Sequence, residues 1–238
     1  MNGLIALCGT LALLLLIGAA IGLLDRERFA LRWLLVAALL VAINDALLTR
    51  IYGTAPDLLA DSDLNWQGKV LALVATLAIA AHPKLTWRRV GLTLEHAPGS
   101  LRAAVPVALL YCAFFVAIAV AFPSGTASAE DIAFQLTMPG LEEEPFYRGI
   151  LLFALGEAYT GRARFLGAEW SWGAVVSCLL FGMAHAFGFS EGQFSFDTLT
   201  MALTALPAFI AVWLRLRTGS LLLPIVLHNF GNAITMLI

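Results

Sequence analysis

Residues 3–24 read GLIALCGTLALLLLIGAAIGLL and contain no charged side chain. About 20 apolar residues are enough for a helix to cross the hydrocarbon core of a bilayer. No basic segment precedes this run and no small-residue cleavage site follows it, so the pattern favours a membrane helix over a signal peptide. The first element is therefore predicted to span a membrane.

The rest of the chain has the same apolar character. Of its 238 residues, 61% are hydrophobic and 13% are charged, and the mean hydropathy is +0.88. Soluble domains are about 45–50% apolar and about 25% charged, so an ordinary soluble globule, a disordered chain and a nucleic-acid-binding module are excluded. The formal charge of −2 indicates no polyanionic partner. The three cysteines have no metal-type spacing, and we interpret them as small apolar residues.

The apolar runs predict an all-α, polytopic membrane protein of about eight transmembrane helices, with no sheet. We expect one integral membrane domain over residues 1–238, with helices 1–4 in 1–139 and catalytic helices 5–8 in 140–238. The predicted helices are 3–24, 31–49, 69–82, 101–122, 140–159, 172–189, 196–214 and 220–238.

Basic residues fall almost entirely in alternate loops. Basic side chains favour the cytoplasmic side, so both chain ends are predicted to lie outside the cytoplasm. The short loops and the high content of alanine, leucine and glycine are typical of a bacterial protein, and we expect it in the cytoplasmic membrane. Of the 14 basic residues, eleven follow the odd-numbered helices: Arg26, Arg28, Arg32, Lys84, Arg88, Arg89, Arg102, Arg162, Arg164, Arg215 and Arg217.

The fifth predicted helix opens with charged residues, which are expensive in a membrane and so indicate function. It begins Leu141-Glu142-Glu143-Glu144-Pro145-Phe146-Tyr147-Arg148. Glu144 and Arg148 are four residues apart and can pair on one helix face. Glu142 is expected to be solvated at the headgroups. Pro145 is tolerable in a first helical turn.

Further polar residues lie in the sixth and eighth predicted helices. His185 lies in about the last turn of the sixth, and His228 shares a helix face with Asn232 four residues later. We interpret Asn229 as a packing residue. Given the helix directions, these groups and Glu143 are expected to meet in a polar cavity among helices 5–8. There an acid could activate water and an amide could stabilise an oxyanion.

Three ordered motifs resemble those of the CPBP intramembrane protease family, which includes type II CAAX prenyl endopeptidases and bacterial bacteriocin-processing or immunity proteins. They are Glu143-Glu144-x-x-x-Arg148, Phe181-x-x-x-His185 and His228-x-x-x-Asn232. The resemblance covers about residues 142–232. Tyr147 stands where the family often has phenylalanine, a departure that should not affect the chemistry.

The resemblance implies an intramembrane endopeptidase that acts on a membrane-associated or lipidated peptide. It implies that Glu143 activates water, that His185 and His228 are active-site histidines, and that Asn232 is the oxyanion donor. Glu144 and Arg148 would form a supporting ion pair, with Phe181 beside them. The family has been described both as glutamate-dependent and as a metalloprotease. We favour no required cofactor, with zinc on Glu143, His185 and His228 as the alternative.

Other classes fit less well. The sequence lacks the nucleophile motif that a serine protease of the rhomboid type needs. An aspartyl protease of the presenilin type needs two membrane aspartates, and Asp45 is the only aspartate within a predicted membrane helix. The alternative that stays open is a membrane scaffold, immunity protein or small transporter that uses the same polar cluster for binding. The expected partners are a peptide or lipidated protein substrate and membrane lipid, with no nucleic acid.

Overall fold

The computed structural model describes residues 2–123 and 125–238. Helices dominate this part of the chain. They are α1 (Asn2–Leu24), α2 (Leu31–Leu48), α3 (Trp66–Ala80), α4 (Leu101–Ala121), α5 (Ala129–Gln135), α6 (Met138–Glu144), α7 (Leu152–Ala158), α8 (Trp172–Ala186), α9 (Thr198–Thr218) and α10 (Leu222–Leu237). A π-helical segment, Pro145–Leu151, joins α6 to α7, and short turns of helix lie at Arg26–Arg28 and Arg50–Gly53.

The lengths of these helices confirm the predicted all-α, polytopic membrane class. Four of the described helices are long and apolar enough to cross a membrane: α1, α2, α4 and α9. The shorter helices α3, α8 and α10 are also apolar, and α6, the π segment and α7 form one continuous helical stretch. Large apolar side chains such as Leu16 and Leu110 point away from the protein, at 70% and 71% exposure. Such surfaces suit lipid rather than water.

Two small hairpins correct the expectation that the chain contains no sheet. Strands β1 (Ala163–Phe165) and β2 (Ala168–Trp170) pair antiparallel, as do β3 (Phe187–Ser190) and β4 (Gln193–Phe196). The predicted helix over 172–189 therefore ends at Ala186, and the next helix begins at Thr198 rather than at 196.

The turn between β3 and β4 explains this difference. Glu191 and Gly192 have positive φ angles of 52° and 79°, as a two-residue hairpin turn requires. Across the strands, the rings of Phe187 and Phe194 stack with their centroids 5.2 Å apart. Hydropathy alone cannot distinguish this aromatic pairing from a helix end.

The fifth predicted helix begins earlier than expected and is not regular. It starts at Met138, so Pro145 lies beyond the first turn, where it opens the π-helical segment. A proline ring clashes with the carbonyl four residues before it in a regular α-helix, and a wider turn relieves that clash. Wide turns of this kind frequently occur at functional sites, and Glu143 and Glu144 directly precede this one.

The core packs around this stretch and fixes α10 against it. Phe146, Ile150 and Leu155 are buried with side chains of α2, α8 and α9. The backbone N–H of Gly140 donates to Asn229 Oδ1 at 2.7 Å, so Asn229 joins α10 to α6. A Cβ at Gly140 would lie 2.6 Å from that oxygen. Only glycine allows α6 and α10 to approach this closely, which brings His228 beside α6.

The start of α9 is fixed by its capping residue, Asp197. The Asp197 carboxylate accepts hydrogen bonds from the backbone N–H groups of Leu199 and Thr200 and from the Thr200 hydroxyl. These bonds from Thr200, with a smaller share from Leu199, lower the pKa of Asp197 below its usual range. A carboxylate cap of this kind satisfies backbone N–H groups that the first turn of a helix leaves without a partner.

The side of the membrane on which this end lies stays a prediction. We expect single cysteines introduced as Ser62→Cys and Ser195→Cys, in a background without Cys8, Cys112 and Cys178, to react with a membrane-impermeant maleimide in intact cells. The reason is the concentration of basic residues in the opposite loops. Matched cysteines introduced as Arg88→Cys and Arg164→Cys should react only after the cells are opened. The reverse pattern would show that the cavity faces the cytoplasm.

Candidate active site

A cavity of about 360 Å³ lies where α6, α8, α9 and α10 meet. The structure brings together in its wall every residue that the sequence placed in the site. They are Glu143, Glu144, Arg148, Phe181, His185, His228 and Asn232. The opposite wall is mostly apolar, with Phe115, Leu203 and Ile210 among its residues. The cavity thus combines hydrolytic groups with an apolar surface.

Glu143 is held by an ammonium group that the sequence analysis did not predict for the site. Lys69, in the first turn of α3, places Nζ 2.6 Å from Glu143 Oε1. The second oxygen, Oε2, lies 3.8 Å from His228 Nε2 and is hydrogen-bonded to no residue in the described part of the chain. One carboxylate oxygen is therefore fixed, and the other faces the cavity next to a histidine.

The structure contradicts the prediction that Glu142 is solvated at the lipid headgroups. Its side chain is 0% exposed, and Oε2 lies 2.7 Å from the same Lys69 Nζ. One ammonium thus bridges two adjacent carboxylates. A buried carboxylate needs such a partner, and the partner comes from a helix that the motif-based interpretation did not connect to the site.

Glu144 links two other members of the site. Its Oε1 accepts a hydrogen bond from His228 Nδ1 at 2.7 Å, and its Oε2 forms an ion pair with Arg148 Nε at 3.3 Å. The structure therefore contains the Glu144–Arg148 pair and adds a contact to His228. A carboxylate on Nδ1 fixes the ring orientation and leaves Nε2 toward Glu143.

Phe181 packs against three charged or polar groups of the site. The guanidinium carbon of Arg148 lies 4.0 Å from the centre of the Phe181 ring, a cation–π arrangement. The ring also lies 4.6 Å from that of His185 and 6.0 Å from that of His228. His185 Nδ1 donates to the Phe181 carbonyl at 2.9 Å, because a carbonyl oxygen can only accept. In neutral His185 the free lone pair is then on Nε2.

Asn232 lies in the same wall, held by a residue that the sequence analysis missed. Its Nδ2 donates to Gln135 Oε1 at 3.0 Å, and Gln135 ends the short helix α5. A side-chain amide nitrogen has two N–H donors. One bond to Gln135 fixes the amide plane and leaves the second N–H for another acceptor.

Lys69 and Gln135 show what the sequence analysis did not find. Gln135 gave no detectable signal, because a single amide in a short polar segment is common. Lys69 did give one. It is one of only two basic residues, with Arg50, in the loops otherwise rich in acids, and it sits at the start of an apolar helix. A lysine at the start of an apolar helix, on the side of Glu143, is a candidate partner for an intramembrane carboxylate.

The donor set can be compared with the zinc alternative. Zinc in hydrolases is held by about three protein ligands with one position open to water. Among residues 2–123 and 125–238, no group of three or more His, Cys, Asp or Glu side chains has an arrangement that could hold a metal ion. Glu143 also carries the Lys69 ammonium 2.6 Å from one oxygen, and that positive charge would oppose a cation on the same carboxylate.

A comparison with family models finds a match for the part of the chain that contains the three motifs. Residues 125–234 match a family described as Type II CAAX prenyl endopeptidase Rce1-like. This stretch is Rce1-like. The match confirms the resemblance to the CPBP/CAAX protease family. No curated protein and no solved structure matches the chain.

The Rce1-like stretch contains every site residue named by the three motifs, whereas Lys69 lies before it. The family match supports a general activity, that of a CAAX-type intramembrane protease, which is a hydrolase. It also supports an integral membrane protein. A peptide or prenylated protein within the membrane is the substrate class that this family implies. The Rce1-like helices therefore carry the motifs, and α3 completes the electrostatics around them.

Proposed function

We propose that this protein is an intramembrane endopeptidase in which Glu143 activates water to hydrolyse a peptide bond of a membrane-associated or lipidated peptide. The observation that carries the proposal is the environment of the Glu143 carboxylate. Lys69 holds Oε1, and Oε2 faces the cavity 3.8 Å from His228 Nε2. A water molecule between Glu143 and His228 would lie within reach of both.

In the proposed reaction, Glu143 takes a proton from water while the water oxygen bonds to the carbonyl carbon of the scissile peptide. The carbonyl oxygen gains negative charge, and the free N–H of Asn232 donates to it. The carbon–nitrogen bond then breaks as the proton passes to the leaving nitrogen. One water is consumed, and a carboxyl and an amine are formed.

The two histidines and the Glu144–Arg148 pair support these steps. His228 is held by Glu144 at Nδ1, so its Nε2 is in position to orient water or carry a proton. His185 is fixed in the same way by the Phe181 carbonyl. Arg148 pairs with Glu144 away from solvent, since the two side chains are 2% and 1% exposed, and so holds in place the carboxylate that orients His228. We assign to Phe181 the role of fixing the positions of Arg148 and of both imidazole rings by contact with its own ring.

The experiment is peptide cleavage by purified protein in liposomes. Acylated peptides are incubated in H₂¹⁸O, and mass spectrometry detects fragments that carry one ¹⁸O in the new carboxyl group. We expect cleavage by the wild type and by His82→Ala, whose histidine lies outside the cavity, but not by His228→Ala. If no peptide is cut under any condition, the protein is a scaffold, immunity protein or transporter instead.

We also propose that the reaction requires no tightly bound metal. Support comes from the Lys69 ammonium, which lies 2.6 Å from Glu143 Oε1 and would oppose a second cation on that carboxylate. We expect EDTA and 1,10-phenanthroline to leave the cleavage rate largely unchanged, as measured with the same peptides. Stoichiometric zinc in the purified protein, with activity lost on its removal and restored on its return, would overturn this.

A further inference from the structure

A second cavity of about 310 Å³ lies on the other side of the Glu143 carboxylate. Lys69, Glu143 and His185 line both cavities, so the two cavities adjoin at these residues. The second cavity extends toward α1 and α2, where Thr10 and Asp45 line it. A peptide whose scissile bond lies at Glu143 would place its two sides in two different chambers.

The two chambers differ in charge. Around the first, Glu143 and Glu144 are balanced by Lys69 and Arg148. Around the second, Lys69 faces three acids with no further Lys or Arg in the lining. Those acids are Asp45, Glu142 and Glu143. Excess negative charge away from bulk water is costly unless a cation compensates it.

Two acids of the second cavity, Glu142 and Asp45, differ in their exposure to it. Glu142 is fully buried, and its Oε1 is hydrogen-bonded to no residue in the part of the chain described. Oε2 is occupied by Lys69 at 2.7 Å. Asp45 is likewise engaged on one side only, since Tyr52 donates to Oδ2 at 2.6 Å. The half-buried Asp45 carboxylate therefore keeps one oxygen for a ligand in the cavity, and the buried Glu142 adds negative charge behind the cavity wall.

We propose that the second cavity binds a basic side chain of the substrate, a lysine or arginine on one side of the scissile bond. This rests on the proposed function and names a specificity for the same site. The first cavity, neutral in balance and lined by apolar residues, would take the uncharged or lipidated side. Asp45 and Glu142 are then the residues that determine the charge preference.

The charge of the cavity can be measured without any cleavage. Thr10→Cys lines the second cavity and Thr204→Cys lines the first, which makes them a matched pair in a background without the native cysteines. We expect a cationic methanethiosulfonate to react with Thr10→Cys about tenfold faster than an anionic one, because unit charges at close range interact by more than a kcal/mol. Thr204→Cys should show little preference.

Asp45→Asn added to Thr10→Cys should reduce the preference for the cationic reagent, whereas Asp61→Asn, on an exposed loop, should not. Equal rates for both reagents at Thr10→Cys would overturn the proposal, as would the same ratio at both positions. Failure of Thr10→Cys to react with either reagent, with Ala6→Cys also inert, would show that no ligand enters this cavity.

Specificity is tested with acylated peptides varied at each position among lysine, norleucine and glutamate. Norleucine has a similar length to lysine without the charge. We expect lysine to be preferred about tenfold over norleucine on one side of the cleaved bond, and Asp45→Asn to reduce that ratio. Cleavage with no preference for lysine would refute this inference but leave the proposed function standing. Absence of all cleavage would refute the proposed function, and the labelling would still test the cavity.

Discussion

Glu143→Gln should reduce the rate of peptide cleavage by about 10³-fold or more, because general acid–base catalysis contributes about 10² to 10⁴ and an amide cannot take the proton of water. Glutamine has nearly the shape of glutamate, and Lys69 keeps its contact to Glu142 at 2.7 Å. The folded yield should therefore stay close to that of the wild type. The measurement is initial cleavage rate in liposomes, together with the elution profile of the detergent-purified protein.

Glu191→Gln is the matched control. Glu191 lies in the exposed hairpin turn, so this variant should cleave peptides at the wild-type rate. Retention of most activity by Glu143→Gln would contradict the assignment of the water-activating base. Loss of folded protein in Glu143→Gln would instead show that the Lys69 contact is needed for assembly. Cleavage rate and folded yield must therefore be reported for each variant.

Arg148→Ala should lower both the folded yield and the activity. The Arg148 and Glu144 side chains are 2% and 1% exposed, and removing one partner of a buried ion pair costs about 3–5 kcal/mol. The guanidinium also leaves the face of Phe181, 4.0 Å away. A loss of this size is comparable to the whole stability of many domains, about 5–15 kcal/mol. Size-exclusion profiles and thermal unfolding in detergent provide the readout.

Two variants separate the structural role of Arg148 from contact with substrate. Arg148→Lys keeps a positive charge and should recover part of the folded yield. Arg148→Ala combined with Glu144→Gln removes both charges and should be better folded than Arg148→Ala alone, because no carboxylate is left unpaired. A full yield of Arg148→Ala with selective loss of activity would show that Arg148 contacts substrate.

The membrane class and the motif residues in the cavity wall could be predicted because both depend on local sequence. A charge in an apolar helix is rare enough to be informative by itself, and spacings of four residues place Glu144 with Arg148 and His228 with Asn232 on shared faces. These features need no knowledge of the tertiary structure.

The remaining features depend on contacts between distant segments. Glu142 is buried because Lys69, 73 positions earlier in the sequence, supplies its counter-charge, and no helical period reveals that. The β3–β4 hairpin depends on positive φ angles at Glu191 and Gly192. The aromatic residues of the two strands do not predict that backbone conformation. The π-helical segment follows from Pro145 lying inside a helix that began earlier than its polar residues suggested.

The Lys69 bridge also bears on how this protein could be recombined or divided. The stretch that matches the family begins at residue 125, yet the ammonium between Glu142 and Glu143 arrives from α3. A chimaera that joined only the C-terminal helices of this protein to the N-terminal helices of another would leave Glu142 and Glu143 without the ammonium that now bridges them. An exchange that carries α3 along would keep the charge balance. For protein engineering, the smallest transferable unit therefore extends upstream of the matched segment to include that helix.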